Sequence, residues 1–281
     1  MSAIKMHKYH GLGNDYLIFD PNENGGLMQE RKIEMLCRRN FGLGADGILY
    51  GPLFEDGRIK VGIYNSDGSQ AESSGNGVRI FAKYLKDAAY VKEQKFSLTT
   101  KAGDAEIEFL DAEGSLTRVN MGKADFMSAL LPGKNPPHET ANESLMFHGA
   151  LYNAVCLSLG SPNCVIMTED VSCQKAKELG PYVENAEYFS GRMNLELCRV
   201  CDRKRLKIEN YERGSGYTLA SGTGACAAAA AAYRMGLTDR KVTVEMPGGS
   251  LWVEMAEDGS IYMTGPVEKI GTFTLEEDFF S

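Results

Sequence analysis

The sequence predicts an α/β protein of two pseudo-symmetric domains, and two repeats predict it. The first repeat is a glycine loop that opens a helix. Ser74-Gly75-Asn76-Gly77-Val78-Arg79 runs into Ile80-Phe81-Ala82-Lys83-Tyr84, and Ser221-Gly222-Thr223-Gly224-Ala225-Cys226 runs into the alanines Ala227 to Ala232. Ser74 and Ser221 stand 147 positions apart, close to half of the 281 residues. The second repeat follows each loop. Lys101-Ala102-Gly103 leads to Ala105–Phe109, Glu113-Gly114-Ser115 and Met121-Gly122, and Pro247-Gly248-Gly249 leads to Leu251–Met255, Asp258-Gly259-Ser260 and Thr264-Gly265. Each run reads strand, glycine turn, strand, acidic-Gly-Ser turn, strand. The alternation in Leu251-Trp252-Val253-Glu254-Met255 suits a half-buried strand. Matching blocks in matching order read as an internal duplication.

In chain order, Lys5–Tyr9 predicts a first strand, followed by His10-Gly11-Leu12-Gly13-Asn14-Asp15 and a second strand, Tyr16–Asp20. Glu30–Asn40 has helical spacing, with Ile33, Leu36 and Cys37 on one side. Phe41-Gly42-Leu43-Gly44-Ala45-Asp46-Gly47 is a glycine-rich connection into Ile48–Gly51. It resembles the start of a dinucleotide fingerprint, but no GxGxxG follows a strand and opens a helix, so a nucleotide is set aside. Lys60–Tyr64 is a strand that ends in the turn Asn65-Ser66-Asp67-Gly68-Ser69, and the first glycine loop and its helix follow. Ser97–Thr100 and the strands to Val119 close the first half.

Met127–Glu143, with Pro132, Pro136 and Pro137, reads as an irregular crossover between domains. Asn153–Leu159 is a strand running into Gly160-Ser161-Pro162-Asn163, and Val171–Leu179 is a short helix. Met193–Val200 and Arg205–Tyr211 are further strands, the latter ending in Glu212-Arg213-Gly214-Ser215-Gly216 and the second glycine loop. Glu276-Glu277-Asp278 reads as solvated surface.

With 43% hydrophobic and 24% charged residues, the chain has the balance of a soluble globular protein, and its length suffices for two cores. A net charge of −8 argues against nucleic acid or an anionic membrane as partner, since both favour basic surfaces. No apolar run approaches the roughly 18 residues that a spanning helix needs. Met1-Ser2-Ala3-Ile4-Lys5 opens no signal peptide, because no apolar stretch follows. A cytoplasmic location is the expectation. Cys37, Cys156, Cys164, Cys173, Cys198, Cys201 and Cys226 are odd in number, which argues against a disulfide framework. Cys198-Arg199-Val200-Cys201 has redox-motif spacing, and no second such pair completes a zinc site. The four histidines are not spaced as ligands, so no metal site is expected.

The chemistry sits in the two loops. Serine is a preferred N-cap, glycine lets backbone amides approach a ligand, and a helix start with bare amides takes a carboxylate or phosphate. For one loop alone, a capped core helix is the bland alternative. Two equivalent loops can act on opposite sides of one ligand. Before the second loop, Arg213 can take a carboxylate in a fork, Glu212 can take an ammonium, and the helix amides can take a second carboxylate. The alternative there is a surface ion pair worth little.

With these motifs the chain resembles the diaminopimelate epimerase family, the pyridoxal-phosphate-independent amino-acid racemases and epimerases. The resemblance covers nearly the whole chain and rests on six motifs in the family's order. They are His10-Gly11-Leu12-Gly13-Asn14-Asp15, Gly44-Ala45-Asp46-Gly47, Asn65-Ser66-Asp67-Gly68-Ser69, Gly75-Asn76-Gly77-Val78-Arg79, Glu212-Arg213-Gly214 and Gly222-Thr223-Gly224-Ala225-Cys226-Ala227. It implies two α/β (α+β) domains, each a curved mixed sheet around a central helix, with substrate between them. In the family the C-terminal strand returns to the first domain, which implies domains of 1–124 with 267–281 and of 125–266, and places Lys269–Phe280 in the first. The chemistry implied is inversion at Cα without a cofactor. One cysteine thiolate at the head of one glycine loop removes the α-proton, and a second thiol delivers a proton on the opposite face. Two helix starts aimed at the α-carboxylate would stabilise the developing carbanion.

At the centre of that mechanism this sequence departs from the family, since Ser74 and Ser221 stand where the two cysteines are expected. A thiol titrates near 8.5 and supplies some thiolate at neutral pH, whereas a serine hydroxyl is a weak base unless a neighbour activates it. No sequence-adjacent His or Lys offers that help. Three readings are open: an epimerase whose two cysteines were replaced, a paralogue that binds an amino acid without chemistry, and a racemase with serine bases. Gly160-Ser161-Pro162-Asn163 stands where Gly-Asn-Pro-His is usual, so Ser161 shortens or removes one distal contact. Tyr217 stands where a Glu is usual. The resemblance implies that Gly75, Asn76, Gly222 and Thr223 cradle the α-carboxylate and that Asn65, Asn194, Glu212 and Arg213 read the far end. Asn14 would help position the base. Diaminopimelate is the expected substrate, in lysine biosynthesis, and the altered distal contacts leave room for another amino acid such as histidine. A homodimer is the expected assembly.

Overall fold

The computed structural model describes residues 4–25, 29–72, 74–126, 139–187, 189–276 and 279–280. The chain divides into two compact units, Met1–Val119 with Gly265–Ser281, and Asn120–Thr264. Most of the expected crossover over Met127–Glu143 lies outside the described residues, as do Glu277 and Asp278. Glu143 itself opens a strand, Glu143–Phe147.

The first unit begins with an antiparallel hairpin of Ile4–Gly11 and Asn14–Phe19, in which Gly11 faces Asn14. Asn14–Phe19 runs parallel to Gly47–Glu55, which pairs antiparallel with Arg58–Asn65. Arg58–Asn65 is parallel to Lys95–Thr100, and Gly103–Phe109 and Leu116–Lys123 extend the sheet antiparallel. The last strand, Glu268–Leu275, lies antiparallel to Ile4–Gly11 from Ile4 opposite Leu275 to His10 opposite Glu268. Phe279 and Phe280, counted in that strand from sequence, form a turn beyond it.

The helix Gly75–Asp87 packs against four strands of this sheet, and every residue from Gly75 to Leu85 is buried. A helix buried all round belongs at the centre of its unit. The helix Glu30–Cys37 covers the other face of the sheet, where Ile33 and Leu36 join Met6, Leu17, Phe19 and Ile48. Strand alternation divides the two layers: Ile48 joins this outer core, while Leu49 meets the central helix at Gly77. The outer helix stops at Cys37, three residues short of the sequence expectation, because Arg38 is already extended.

The second unit repeats the plan. Ala150–Ser158 and Pro162–Met167 form the hairpin, with Ser158 facing Pro162. Pro162–Met167 is parallel to Asn194–Asp202, which is antiparallel to Arg205–Glu212. Arg205–Glu212 is parallel to Lys241–Met246, and Gly249–Met255 and Ser260–Pro266 follow antiparallel. The central helix is Gly222–Arg234, whose Ala225 and Ala227 to Ala232 are buried. Alanine has the highest helix propensity, and its small side chain lets strands pack close on every side.

The outer helix is Cys173–Glu184, longer than the expected Val171–Leu179. Ser172 caps it by accepting from the Lys175 amide at 3.2 Å, and the helix runs through Pro181. A proline forfeits one backbone hydrogen bond. Leu179 and Val183 nevertheless both reach the core formed with Leu195 and Leu197, and that burial offsets the loss.

The offset of 147 seen between Ser74 and Ser221 also holds for three elements up to and including the central helix. Gly47–Glu55 matches Asn194–Asp202, Arg58–Asn65 matches Arg205–Glu212, and Gly75–Asp87 matches Gly222–Arg234. Register repeats as well, since Tyr16 faces Gly47 as Asn163 faces Asn194.

Candidate active site

In each unit the strand before the central helix delivers polar groups to the helix start. In the first, Ser74 is the N-cap of Gly75–Asp87, and its Oγ accepts from the Gly77 amide at 3.1 Å. The Tyr16 hydroxyl lies 3.2 Å from Ser74 Oγ. Asn76 is buried one residue into the helix and donates to Asn14 Oδ1 at 3.0 Å. Asn14 in turn donates to Asp46 Oδ2 at 2.8 Å, and Arg79 donates to Asn76 Oδ1 at 2.6 Å. Asp46 is held by Arg39, which also binds Asp15 at 2.8 Å, and Lys8 reaches Asp15 at 3.0 Å. Asn14 and Asn76 are thus locked by a chain of charged groups behind them. Asn65 ends its strand, and its amide group donates to Ser69 Oγ at 3.0 Å.

In the second unit Ser221 caps Gly222–Arg234 in the same way, accepting from the Gly224 amide at 3.1 Å. Here the hydroxyl has a carboxylate partner, because Ser221 Oγ donates to Glu212 Oε2 at 3.0 Å. Thr218 donates to Glu212 Oε1 at 2.7 Å, and the Thr223 hydroxyl is 3.4 Å from Ser221. Glu212 therefore stands beside the Ser221 hydroxyl, whereas the resemblance implied a place at the far end of the ligand. It makes no ion pair with Arg213, whose exposed side chain has no ion-pair partner among the described residues. Asn194 is buried and reaches Ser161 Oγ at 3.3 Å and Asn163 Oδ1 at 3.1 Å. Its own Oδ1 accepts from the Arg213 amide at 2.9 Å, which fixes the turn carrying Arg213.

Sequence reasoning missed several of these groups. Tyr16 and Asn163 lie two positions beyond Asn14 and Ser161, so strand alternation puts them on the same face, and the 147 offset links them. Thr218 reaches Glu212, which in turn reaches Ser221, because Arg205–Glu212 and Gly216–Thr218 form a tight hairpin before the helix. Glu184 is buried and pairs with Arg192, and its Oε1 accepts from the Gly214 amide at 2.7 Å. Tyr217, standing where a Glu was expected, donates to Glu209 at 2.7 Å.

Two more polar groups lie under the second helix start. Glu196 and Asn210 face each other across adjacent strands, and both are fully buried. Burial first, and then the nearby Glu212 and Cys156, hold the Glu196 carboxyl well above the usual carboxylate range. Elsewhere, all seven cysteines are free. Cys201 is exposed whereas Cys198 is buried, and burial pushes the Cys198 thiol up to about 12, which leaves little thiolate for redox work. Among the described residues no group of three or more His, Cys, Asp or Glu could hold a metal ion, and no helix is long and apolar enough to cross a membrane.

The sequence profile described as diaminopimelate epimerase matches residues 6–127 and 155–270. Diaminopimelate epimerase 2 of Nostoc sp. (strain PCC 7120) is 40% identical over 279 residues, covering 99% of this chain and 98% of the relative. The chain belongs to the diaminopimelate epimerase family. The diaminopimelate epimerase of Synechocystis sp. (strain PCC 6803) is 38% identical over 273 residues, with 95% and 97% covered. Among solved structures, a hydroxyproline epimerase from Agrobacterium vitis with bound trans-4-hydroxy-L-proline superposes with a TM-score of 0.70 at 13% identity, covering 98% of this chain and 93% of that one. A phenazine biosynthesis protein of Bacillus anthracis gives 0.68 at 14% identity, with 98% and 100% covered. At such identities the likeness shows the shared fold.

Proposed function

We propose that this chain is a cofactor-independent amino-acid epimerase by descent, with diaminopimelate as its ligand and Ser74 and Ser221 in the two acid–base positions. The observation that carries the reading is the repeated half-site: in each unit a serine hydroxyl caps a buried central helix whose first residues are Gly75-Asn76 or Gly222-Thr223. Amides at those helix starts suit the α-carboxylate. Asn65, Asn194 and Arg213, with Ser161 beside Asn194, are assigned to the rest of the ligand, and Asn14 holds Asn76 in place. Glu212 is assigned to Ser221 and to an ammonium group within its reach.

The two serines make turnover slow or absent. Glu212 accepts the Ser221 proton in a hydrogen bond, yet a carboxylate is a far weaker base than an alkoxide, so the hydroxyl stays protonated. On the first side Tyr16 offers another hydroxyl and no base. The chain as it stands therefore binds both configurations at the α-carbon without interconverting them quickly. A second reading, racemisation of another amino acid such as histidine, is favoured by Ser161, whose hydroxyl is already engaged by Asn194. Cytoplasmic location and homodimeric assembly belong to the same proposal.

Titration calorimetry of the chain with LL- and meso-diaminopimelate tests it. Both isomers should bind with comparable affinity. Binding of histidine but of neither diaminopimelate isomer would move the reading to the second substrate, and selection of a single diaminopimelate isomer would mark a binding protein without epimerase geometry.

A further inference from the structure

The two half-sites share a backbone but differ beneath the helix start. In the first unit, Leu49 and Ile63 face each other across Gly47–Glu55 and Arg58–Asn65, and both are buried. A Cβ on Gly77 would stand 3.3 Å from Leu49 Cδ2. The matching residues 147 positions on are Glu196 and Asn210, which face each other in the same register. A Cβ on Gly224 would stand 2.7 Å from Asn210 Oδ1 and 2.9 Å from Glu196 Oε1. Among the described residues, neither Glu196 carboxyl oxygen nor either Asn210 amide atom has a hydrogen-bond partner.

The fold does not require this polar pair, because the apolar pair in the first unit serves the same packing. Leaving a buried polar group unmatched costs about 1–3 kcal/mol. Strand alternation sets Glu196 two residues behind Asn194 and Asn210 two residues before Glu212, on the face that meets the helix. Asn194 and Glu212 form the front row at the site, and Glu196 and Asn210 form the row behind it. The titratable groups acting on Glu196 are Glu212 from the neighbouring strand, Cys156 from Ala150–Ser158, and the thiols of Cys164 and Cys198. The helix packed above contributes no charged side chain from Gly222 to Ala232. Among the described residues no cation pairs with Glu196.

We propose that Glu196, backed by Asn210, is a positioning residue of the second half-site: uncharged, it leaves the start of Gly222–Arg234 open to an anionic ligand group, and charged, it turns that group away. The helix start attracts an anion through its amides and dipole. A carboxylate beside Gly224 would cancel that attraction at short range in a water-poor setting. The first half-site, with Leu49 and Ile63, has no such control, so the two ends of the ligand site would respond differently to pH. The inference rests on the proposed reading only for the identity of the ligand.

The test begins without substrate. With carboxyl-labelled glutamate and 15N-labelled amides, the Glu196 carbon and the Gly224 amide are followed from pH 5 to pH 10. The Glu196 carbon should stay in its protonated position through neutral pH, and the Gly224 amide should move with it in the alkaline range. In Glu196→Gln that amide step should vanish. Sulfate, followed by its shifts of the Gly222 to Gly224 amides, should weaken by at least about tenfold through the same step in the unaltered chain and not in Glu196→Gln, a factor of ten being one pKa unit of coupling. Meso-diaminopimelate should follow sulfate. The double variant Glu196→Leu with Asn210→Ile, which copies the first unit, should unfold at a higher temperature and also lose the alkaline weakening. Ordinary acidic titration of Glu196, or one pH profile shared by the unaltered chain and Glu196→Gln, would overturn the inference. If sulfate behaves as stated while diaminopimelate binds at no pH, the substrate reading fails and this inference stands.

Discussion

Ser221 Oγ donates to Glu212 Oε2 at 3.0 Å, while Ser74 Oγ has the Tyr16 hydroxyl at 3.2 Å in the matching place. The repeated half-sites thus differ in acid–base character, with a carboxylate beside Ser221 and a phenol beside Ser74. If Ser221 is replaced by cysteine, Glu212 becomes the neighbour of a thiol. In a Ser74→Cys/Ser221→Cys background, Glu212→Gln should lower α-hydrogen exchange by about 10²–10⁴, the usual loss for a positioned acid–base group. Exchange rates in deuterated water measure it, and a change of less than about threefold would remove Glu212 from the proton path.

Asn76 joins Asn14 to Arg79 inside the first unit. Asn76→Ala would leave Asn14 Oδ1 short of a donor and Arg79 short of an acceptor in a buried setting. The expected loss is about 1–3 kcal/mol in urea unfolding, together with weaker ligand binding. Unchanged stability would mean that other partners take over both groups.

Asp15 ties the same network to pH. Burial alone would raise its carboxyl, but hydrogen bonds from Arg39 and Lys8 outweigh it and hold the group below its ordinary value. A folded value below the unfolded one means the stabilisation is complete above the unfolded value of about 3.9. It is then lost as pH falls through the folded value. Asp15→Asn should cost about 1–3 kcal/mol at pH 7 and flatten the acid limb of the stability curve. Parallel stability curves for Asp15→Asn and the unaltered chain between pH 3 and pH 7 would contradict this.

Much of this arrangement was legible in the sequence. The glycine loops announced both central helices, because serine caps and glycine spacing are local signals, and the duplication followed from their offset. What stayed hidden depends on which face a strand residue takes and on what packs behind it. Tyr16 sits inside a strand that read only as an apolar-rich run, and Asn163 was legible only as a departure from the Gly-Asn-Pro-His pattern. Glu196 looked like any strand glutamate until its burial under Gly224 was seen. The expected helix end at Leu179 is overridden by packing of Val183, which carries the helix on through Pro181.

The glycines one turn into each helix should also part company. A Cβ on Gly77 meets Ser74 and Leu49 at 3.1–3.3 Å, which small shifts can relieve, and alanine gains about 1 kcal/mol in helix propensity. At Gly224 the Asn210 and Glu196 oxygens stand closer, at 2.7 and 2.9 Å. Gly224→Ala should therefore destabilise by about 1–3 kcal/mol, and Gly77→Ala by less. Thermal unfolding of the two variants side by side measures the difference, and a larger loss for Gly77→Ala would refute the packing asymmetry.

The central proposal is that Ser74 and Ser221 occupy the two acid–base positions of an epimerase. It is tested most directly by restoring a thiol at each: Ser74→Cys/Ser221→Cys is incubated with LL- and with meso-diaminopimelate in deuterated water. The account predicts deuterium at Cα and interconversion of the two isomers in the double variant, with neither single variant reaching a comparable rate. No exchange in the double variant, while the protein remains folded and binds ligand, would contradict it.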